Sequence, residues 1–384
     1  MQVHPSFWKV ALFFLIFSGF FKSNKTFGQK ITLKSAYLKE ERIINVHLPD
    51  YYDASKTNYP VIYVFDGAVV SDYVAALFNY DDSDMYPQAI IVGVHQKERS
   101  KELVPFEKEK KIHENFLNFV NKELLPKIDA SYRTNNLNML IGHSFGGYFS
   151  LVCMLENPKI KYAISISPVI FGKYEKNIDL ILQEYAAVQQ HKIYFGIAEH
   201  ENKTLQKGVE KLNAFIKNTP ILNVESSLEL YRDEDHNSSI LIGARRGLQK
   251  LFENWPTVFP EEKWDALHQK KDPTLFYKFF DEISKKTKKT IIPSEEDYNS
   301  LGYYYLSANK ISEAIEIFKK NIYIYPYSSN GYDSLGEAYE KNSEYKKALK
   351  FYKKAIKIEK KTINYIGAIE QYTKRVQELR KIIH

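Results

Sequence analysis

The stretch Leu140-Ile141-Gly142-His143-Ser144-Phe145-Gly146-Gly147 decides how the rest of this chain is read. Leu137, Met139, Leu140 and Ile141 form an apolar run suited to a buried strand, and Gly147 to Leu155 (GYFSLVCML) reads as an apolar helix. Gly-x-Ser-x-Gly lies between them. Strand, sharp turn and helix in that order lift a serine hydroxyl clear of a sheet, and glycines flank it because side chains there would strike neighbouring elements. Phe145, at the start of the helix, then points its backbone N–H where an oxyanion would form. The plainer alternative is a tight glycine turn whose serine only caps the helix. The strand before it and the helix after it favour a nucleophile elbow.

Working outward, residues 30–50 alternate in polarity and suggest an edge strand or hairpin. Tyr59 to Phe65 is β-branched and aromatic and ends at Asp66-Gly67, as a central strand entering a tight loop would. Ligands gather at the carboxyl ends of parallel strands, so Gly67 or Ala68 could supply a second oxyanion N–H; an ordinary Asp-Gly turn explains the pair equally well. Ala89 to Val94 is a further buried strand, and Lys110 to Leu125 has helical spacing that Pro126 is expected to close. Past the elbow, strands are expected over Tyr162–Ile166, His191–Ile197 and Val224–Tyr231, with helices over Asp179–Val188, Lys203–Ile216 and Ile240–Phe252. Strand–helix alternation of this kind implies an α/β domain with a mostly parallel sheet.

A serine hydroxyl needs a histidine to take its proton and a carboxylate to orient that histidine. In α/β-hydrolases these follow in the order serine, acid, histidine, each in a loop after a strand. His236, in the polar loop after the last strand, is the best placed of the ten histidines. His143 lies inside the elbow, His95 and His113 precede the serine, and His200 falls in the acid loop. For the acid, Glu199 and Glu201 share one loop; Glu201 is preferred, and a Ser-His dyad without an acid stays open. Asp233 and Asp235 are too near His236 in sequence to be obvious orienters.

The segments YPVIYVFDG (59–67), FVNKELLPKIDASYRTNNLNMLIGHSFGGYFSL (119–151), ISISP (164–168) and DHNSS (235–239) together resemble a serine esterase family of the α/β-hydrolase superfamily. That family includes the ferric enterobactin and bacillibactin esterases and is related to the esterase D group. The resemblance implies the α/β-hydrolase fold, Ser144 as nucleophile, His236 as base, Glu201 at the acid position, and Phe145 with the Asp66-Gly67 corner on the oxyanion side. After Ser167-Pro168 many members carry an aromatic segment, whereas this chain reads Val169-Ile170-Phe171-Gly172.

Near the C-terminus, Ser300-Leu301-Gly302 recurs as Ser334-Leu335-Gly336, and Tyr298/Tyr332, Ala314/Ala348 and Phe318/Tyr352 keep the same offset. That offset is the tetratricopeptide period, and the region resembles such repeats. Two units are visible, with a last helix expected over Tyr365–Ile383. So short an array is marginal alone and is expected to lean on the hydrolase domain. It is a candidate surface for a protein or peptide partner, or only a structural appendage. The segment between, Trp255 to Pro293, holds the amphipathic stretch TLFYKFFDEI (274–283), read as a docking linker or a lid over the site.

The chain has 384 residues, 44% of them hydrophobic, with 29 Tyr and 24 Phe, enough for two packed domains. Its net charge of +7 comes mostly from dispersed lysines, without the basic stripe and stacking residues of a nucleic-acid binder. The uncharged run Val10 to Phe21 is too short to span a bilayer and reads as the core of a secretory signal peptide, so the expected location is periplasmic or secreted. Cys153 stands alone and reads as a small buried hydrophobe.

These readings divide the chain into a signal peptide (1–29), an α/β-hydrolase esterase domain (30–254), a connector (255–293) and a small all-α tetratricopeptide-like domain (294–384). The expected activity is hydrolysis of a small-molecule carboxylic ester, with no metal or cofactor and no stable membrane span. The rival is a hydrolase-like protein without activity that presents its repeats to a partner.

Overall fold

The computed structural model describes residues 28–49, 52–53, 57–67, 70–79, 86–184, 190–253, 259–287, 291–362 and 367–383. The expected signal peptide falls almost wholly outside the described residues, as does Ala68. Eight strands form one sheet: β1 (Gln29–Ser35), β2 (Glu40–His47), β3 (Tyr59–Phe65), β4 (Ile90–Val94), β5 (Thr134–His143), β6 (Ile160–Ile166), β7 (His191–Ala198) and β8 (Val224–Tyr231). Their order is β1-β2-β4-β3-β5-β6-β7-β8, with β1 and β8 at the edges. β1 and β2 make the antiparallel hairpin that the alternating segment suggested, and β2 runs antiparallel to β4. Every other pairing is parallel, so β5, β7 and β8 discharge their loops at one end of the sheet.

The central strands have apolar residues on both faces because both faces are covered. In β3, Val61, Tyr63 and Phe65 join one cluster and Ile62 and Val64 the other. The first cluster takes Phe116 and Leu117 of α3 (Lys110–Asn118), Leu125 and Ile128 of α4 (Leu125–Ser131), and Phe149 and Val152 of α5 (Phe145–Glu156). It also takes Ile178 of α6 (Lys173–Glu184) and Val209 and Leu212 of α7 (Lys203–Lys217). The second takes Val74 and Phe78 of α1 (Val70–Asn79) and Ala244 and Leu248 of α8 (Ser239–Phe252). Each fully buried large side chain contributes roughly 1.5–3 kcal/mol relative to its exposed state. Helix α1 carries Val70, Val74 and Phe78 at helical spacing, and the short helix α2 (Arg99–Leu103) lies in the charged stretch after β4.

Pro126 does not close the helix before it. A π-helical turn over Phe119–Leu124 joins α3 to α4, and Pro126 sits in the first turn of α4. Its missing N–H and fixed φ are tolerated there because the wider π turn has already shifted the hydrogen-bond register. Asn121, within that turn, accepts hydrogen bonds from Cys153 Sγ at 3.2 Å and Asn157 Nδ2 at 2.9 Å. Cys153 is fully buried and burial pushes its thiol pKa up, as a packing residue requires.

The C-terminal region is all helical: α9 (Glu261–Lys270), α10 (Thr274–Thr287), α11 (Glu295–Ser307), α12 (Ile311–Ile324), α13 (Ser329–Lys341), α14 (Tyr345–Thr362) and α15 (Ala368–Ile383). The residues that matched at constant offset are structurally equivalent: Leu301 and Leu335, Ala314 and Ala348, Phe318 and Tyr352 are all fully buried. Phe259, Leu267 of α9 and Phe276 and Phe280 of α10 pack with Tyr298 and Leu301 of α11 and Ile317 of α12. The apolar face of α10 is therefore spent on the first repeat; among the described residues the connector helices, and not the hydrolase domain as expected, supply the hydrophobic neighbour of the short array. Among the described residues, each hydrophobic cluster draws either on residues up to 252 or on residues from 259 onward. No described helix is long and apolar enough to cross a membrane.

Candidate active site

At the end of β5 the chain turns at Ser144, whose φ of 57° and ψ of −116° lie where a residue with a side chain rarely sits. Such a conformation costs about 1–3 kcal/mol and must be held by its surroundings. Here Ser144 N–H donates to Ile166 O at 2.9 Å, and Ser144 O accepts from Tyr148 N at 3.1 Å and Val169 N at 3.3 Å. A Cβ on Gly142 would stand 2.0 Å from the carbonyl oxygen of Gly146, so no other residue fits the approach of strand to helix. Phe145 opens α5, and its N–H is among those that have no intrahelical acceptor.

The loops after β7 and β8 bring Glu201 to His236. Glu201 Oε2 lies 2.7 Å from His236 Nδ1, and its Oε1 accepts the N–H of Asn202 at 2.8 Å. The carboxylate is only 7% exposed, so its pairing is little screened. A carboxylate on Nδ1 fixes the tautomer and leaves Nε2 able to accept a proton. Glu199, the other candidate acid, is less buried than Glu201, and its Oε2 accepts the N–H of Asp233 at 3.0 Å. Asp235 shapes the histidine loop instead: its carboxylate accepts the N–H of Asn237 at 2.8 Å and of Ser238 at 2.9 Å. Those hydrogen bonds, Ser238 first, hold its pKa below the usual value.

Gly67 must be corrected as an oxyanion donor. Its N–H donates to Val94 O at 3.1 Å, continuing the β3–β4 pairing past Phe65, so the sheet has already taken the group. A Cβ there would meet the Gly93–Val94 backbone, which is the reason for glycine at this corner. The next residue, Ala68, is outside the described set. Asp66, at φ 61°, is braced by Arg99, whose Nε and Nη2 donate to its two oxygens at 2.5 and 2.7 Å. Arg99 Nη2 also donates to His143 O at 3.2 Å, and the guanidinium lies over the Phe145 ring at 5.6 Å.

His143, inside the elbow, is not the base for its neighbour Ser144. In the structure it is 8% exposed, and its Nε2 donates to the backbone carbonyl of His236 at 2.6 Å. Burial, then the neighbouring His236, push its pKa down to about 4, which makes it a neutral donor. Only the fold reveals this, because the two histidines are far apart in sequence. An aromatic group borders Phe145: the Phe106 ring meets Phe145 at 6.3 Å and Tyr174 at 6.1 Å, edge-on in both cases. Lys173 Nζ sits 5.2 Å from the Phe106 ring centre. Glu199, His200 and Asp233 bring potential metal-binding atoms within 4.8 Å of one another, but all three are exposed and Glu199 already holds the turn.

Comparison with known proteins agrees with this architecture. The family described as "Putative esterase" matches residues 35–240, more than half of the 384 residues, and the tetratricopeptide repeat matches residues 329–362. No curated relative matches the chain. An IroE-like serine hydrolase from Shewanella oneidensis is similar with a TM-score of 0.61 at 21% identity, over 77% of this chain and 98% of its own. An uncharacterised protein from Capnocytophaga ochracea has a TM-score of 0.59 at 20% identity, over 92% of this chain and 99% of its own. The siderophore hydrolase EstB from Aspergillus nidulans has a TM-score of 0.51 at 18% identity, over 61% of this chain and 97% of its own. At these identities the likeness is one of fold.

Proposed function

We propose that this chain, which belongs to the putative esterase family, is a serine hydrolase that cleaves carboxylic esters through an acyl-enzyme on Ser144. The observation that carries the reading is the 2.7 Å pairing of buried Glu201 with His236 Nδ1, in a loop beside a serine held at positive φ. In this mechanism Ser144 Oγ adds to the ester carbonyl carbon as His236 Nε2 takes its proton, and Glu201 stabilises the imidazolium. The carbonyl oxygen becomes an oxyanion that the Phe145 N–H receives. Collapse breaks the bond to the alcohol, which leaves with the proton from His236. Water then adds to the acyl carbon as His236 takes its proton, and the acid leaves as Ser144 Oγ is reprotonated.

The aromatic group of Phe106, Phe145 and Tyr174 supports an ester with an apolar or aromatic portion. The siderophore hydrolase among the similar folds makes siderophore esters worthwhile members of a substrate screen. Export to the periplasm or medium belongs to the same proposal and rests on the apolar run Val10 to Phe21; fractionation of the native host tests it. A protein or peptide partner for the repeats is supported by the tetratricopeptide match alone.

The test is labelling by a fluorophosphonate probe. The wild type is expected to label, and Ser144→Ala and His236→Ala to lose the label while melting as folded proteins. A folded wild type that stays unlabelled refutes the reading and favours the inactive, partner-presenting alternative.

A further inference from the structure

We infer that His143 is a positioning residue, whose Nε2–H, donated to the backbone carbonyl of His236, holds the loop that carries the base in register with the nucleophile. The inference rests on the serine-esterase reading above and adds a part to it. His143 is the last residue of β5 and is covalently joined to Ser144. Its backbone carbonyl is held by Arg99, which is itself clamped to Asp66 at the end of β3. Its side chain reaches the β8–α8 loop, where the two imidazole rings lie 4.6 Å apart. One residue thus ties the central strands to the loop of His236, across 93 residues of sequence.

The division of labour is physical. Glu201 grips the ring of His236 at Nδ1 and fixes its tautomer and rotation. It cannot by itself stop the loop from sliding, because Glu201 rides on the neighbouring loop after β7. His143 grips the main chain of His236 from the nucleophile's own strand. A carbonyl only accepts, so the imidazole must carry its proton on Nε2, and a buried, neutral ring does so without burying a charge. Ser239 Oγ donates to the same carbonyl at 2.9 Å, so losing His143 leaves that oxygen served and the loop folded but less constrained. A displacement of the base of about 1 Å is enough to slow turnover by up to about a hundredfold.

The experiment compares His143→Leu, which removes the donor, with His143→Gln, whose amide N–H reaches a similar position. Each is assayed in the full chain by p-nitrophenyl butyrate hydrolysis and by the rate of fluorophosphonate labelling. His143→Leu is expected to lower kcat and labelling rate by roughly ten- to a hundredfold with KM within about twofold, and His143→Gln to recover most of the loss. A folded His143→Leu at wild-type rate, or a Gln variant no better than Leu, overturns the inference while wild-type labelling leaves the esterase reading standing. An unlabelled, inactive wild type refutes the esterase reading and this inference with it. Should His143→Leu fail to fold, nitrogen NMR of the wild type decides: an Nε2–H tautomer at His143 supports the inference, and an Nδ1–H tautomer overturns it.

Discussion

Replacing Glu201 by glutamine tests the site at the point where sequence left two answers. Both carboxylate oxygens are acceptors: Oε2 for His236 Nδ1 at 2.7 Å and Oε1 for Asn202 N–H at 2.8 Å. Glutamine offers one acceptor and one donor in the same volume. If its NH₂ faces Nδ1, the imidazole must move its proton to Nε2 and can no longer accept one from Ser144. If its oxygen faces Nδ1, the NH₂ opposes the N–H of Asn202 and the negative charge that stabilised the imidazolium is lost. The first orientation keeps both hydrogen bonds as neutral ones, and the second costs the fold about one, roughly 0.5–1.5 kcal/mol. Loss of the tautomer in comparable triads lowers kcat by about 10⁴, equivalent to about 5.5 kcal/mol of transition-state stabilisation. We expect Glu201→Gln to lose between about a hundredfold and 10⁴-fold in kcat on p-nitrophenyl butyrate, with KM little changed and melting within a few degrees of wild type. Glu199→Gln should stay within about threefold, since its oxygen only holds the Asp233 turn. A folded Glu201→Gln enzyme within threefold of wild type would refute the reasoning and leave a Ser-His dyad.

Burial pushes His113, His143 and His191 down to about 4 in the fold, against 6.5 for a free histidine. Between pH 4 and 6.5 the unfolded chain therefore binds more protons, so stability falls as pH drops through this window and is complete above it, with a loss of roughly a few kcal/mol. Thermal melts from pH 7.5 to 4.5 should show it, and a flat Tm would contradict the burial of these rings as neutral groups. In the repeats, Leu335→Ala should cost about 2–5 kcal/mol in the helical region because Leu335 is fully buried there. Its hydrophobic cluster is confined to the helical region, so calorimetry should show an early transition while ester hydrolysis stays within about twofold. Simultaneous loss of activity would show that the two parts share their stability.

Much of the hydrolase domain was legible because buried parallel strands write themselves as short apolar runs, and Gly142-His143-Ser144-Phe145-Gly146 has few structural readings between a strand and a helix. The 34-residue recurrence was legible because each repeat must fill the same seam, and Leu301/Leu335 and Phe318/Tyr352 do so. What sequence could not decide depended on distance across the fold. Glu199 and Glu201 are two residues apart in one loop, and only the direction each side chain takes separates them. Gly67 looked free because a strand end was invisible one residue past its apolar run. Pro126 misled because a π turn shows no hydrophobic period of its own. His143 was hidden by its own motif, where attention falls on the serine beside it.

The sheet described above is open at both ends, and an open edge invites another strand to pair with it. β1 presents exposed Lys30 and Lys34, and β8 presents Glu225 and Glu229. Glu225 also takes Lys192 of β7 at 2.8 Å, which ties that charge to the rim. A further strand added at either side would have to pack against these side chains, lysines on the β1 flank and paired glutamates on the β8 flank. Charged side chains on both edges of the described sheet therefore discourage further strand pairing, and their removal is expected to favour edge-to-edge association.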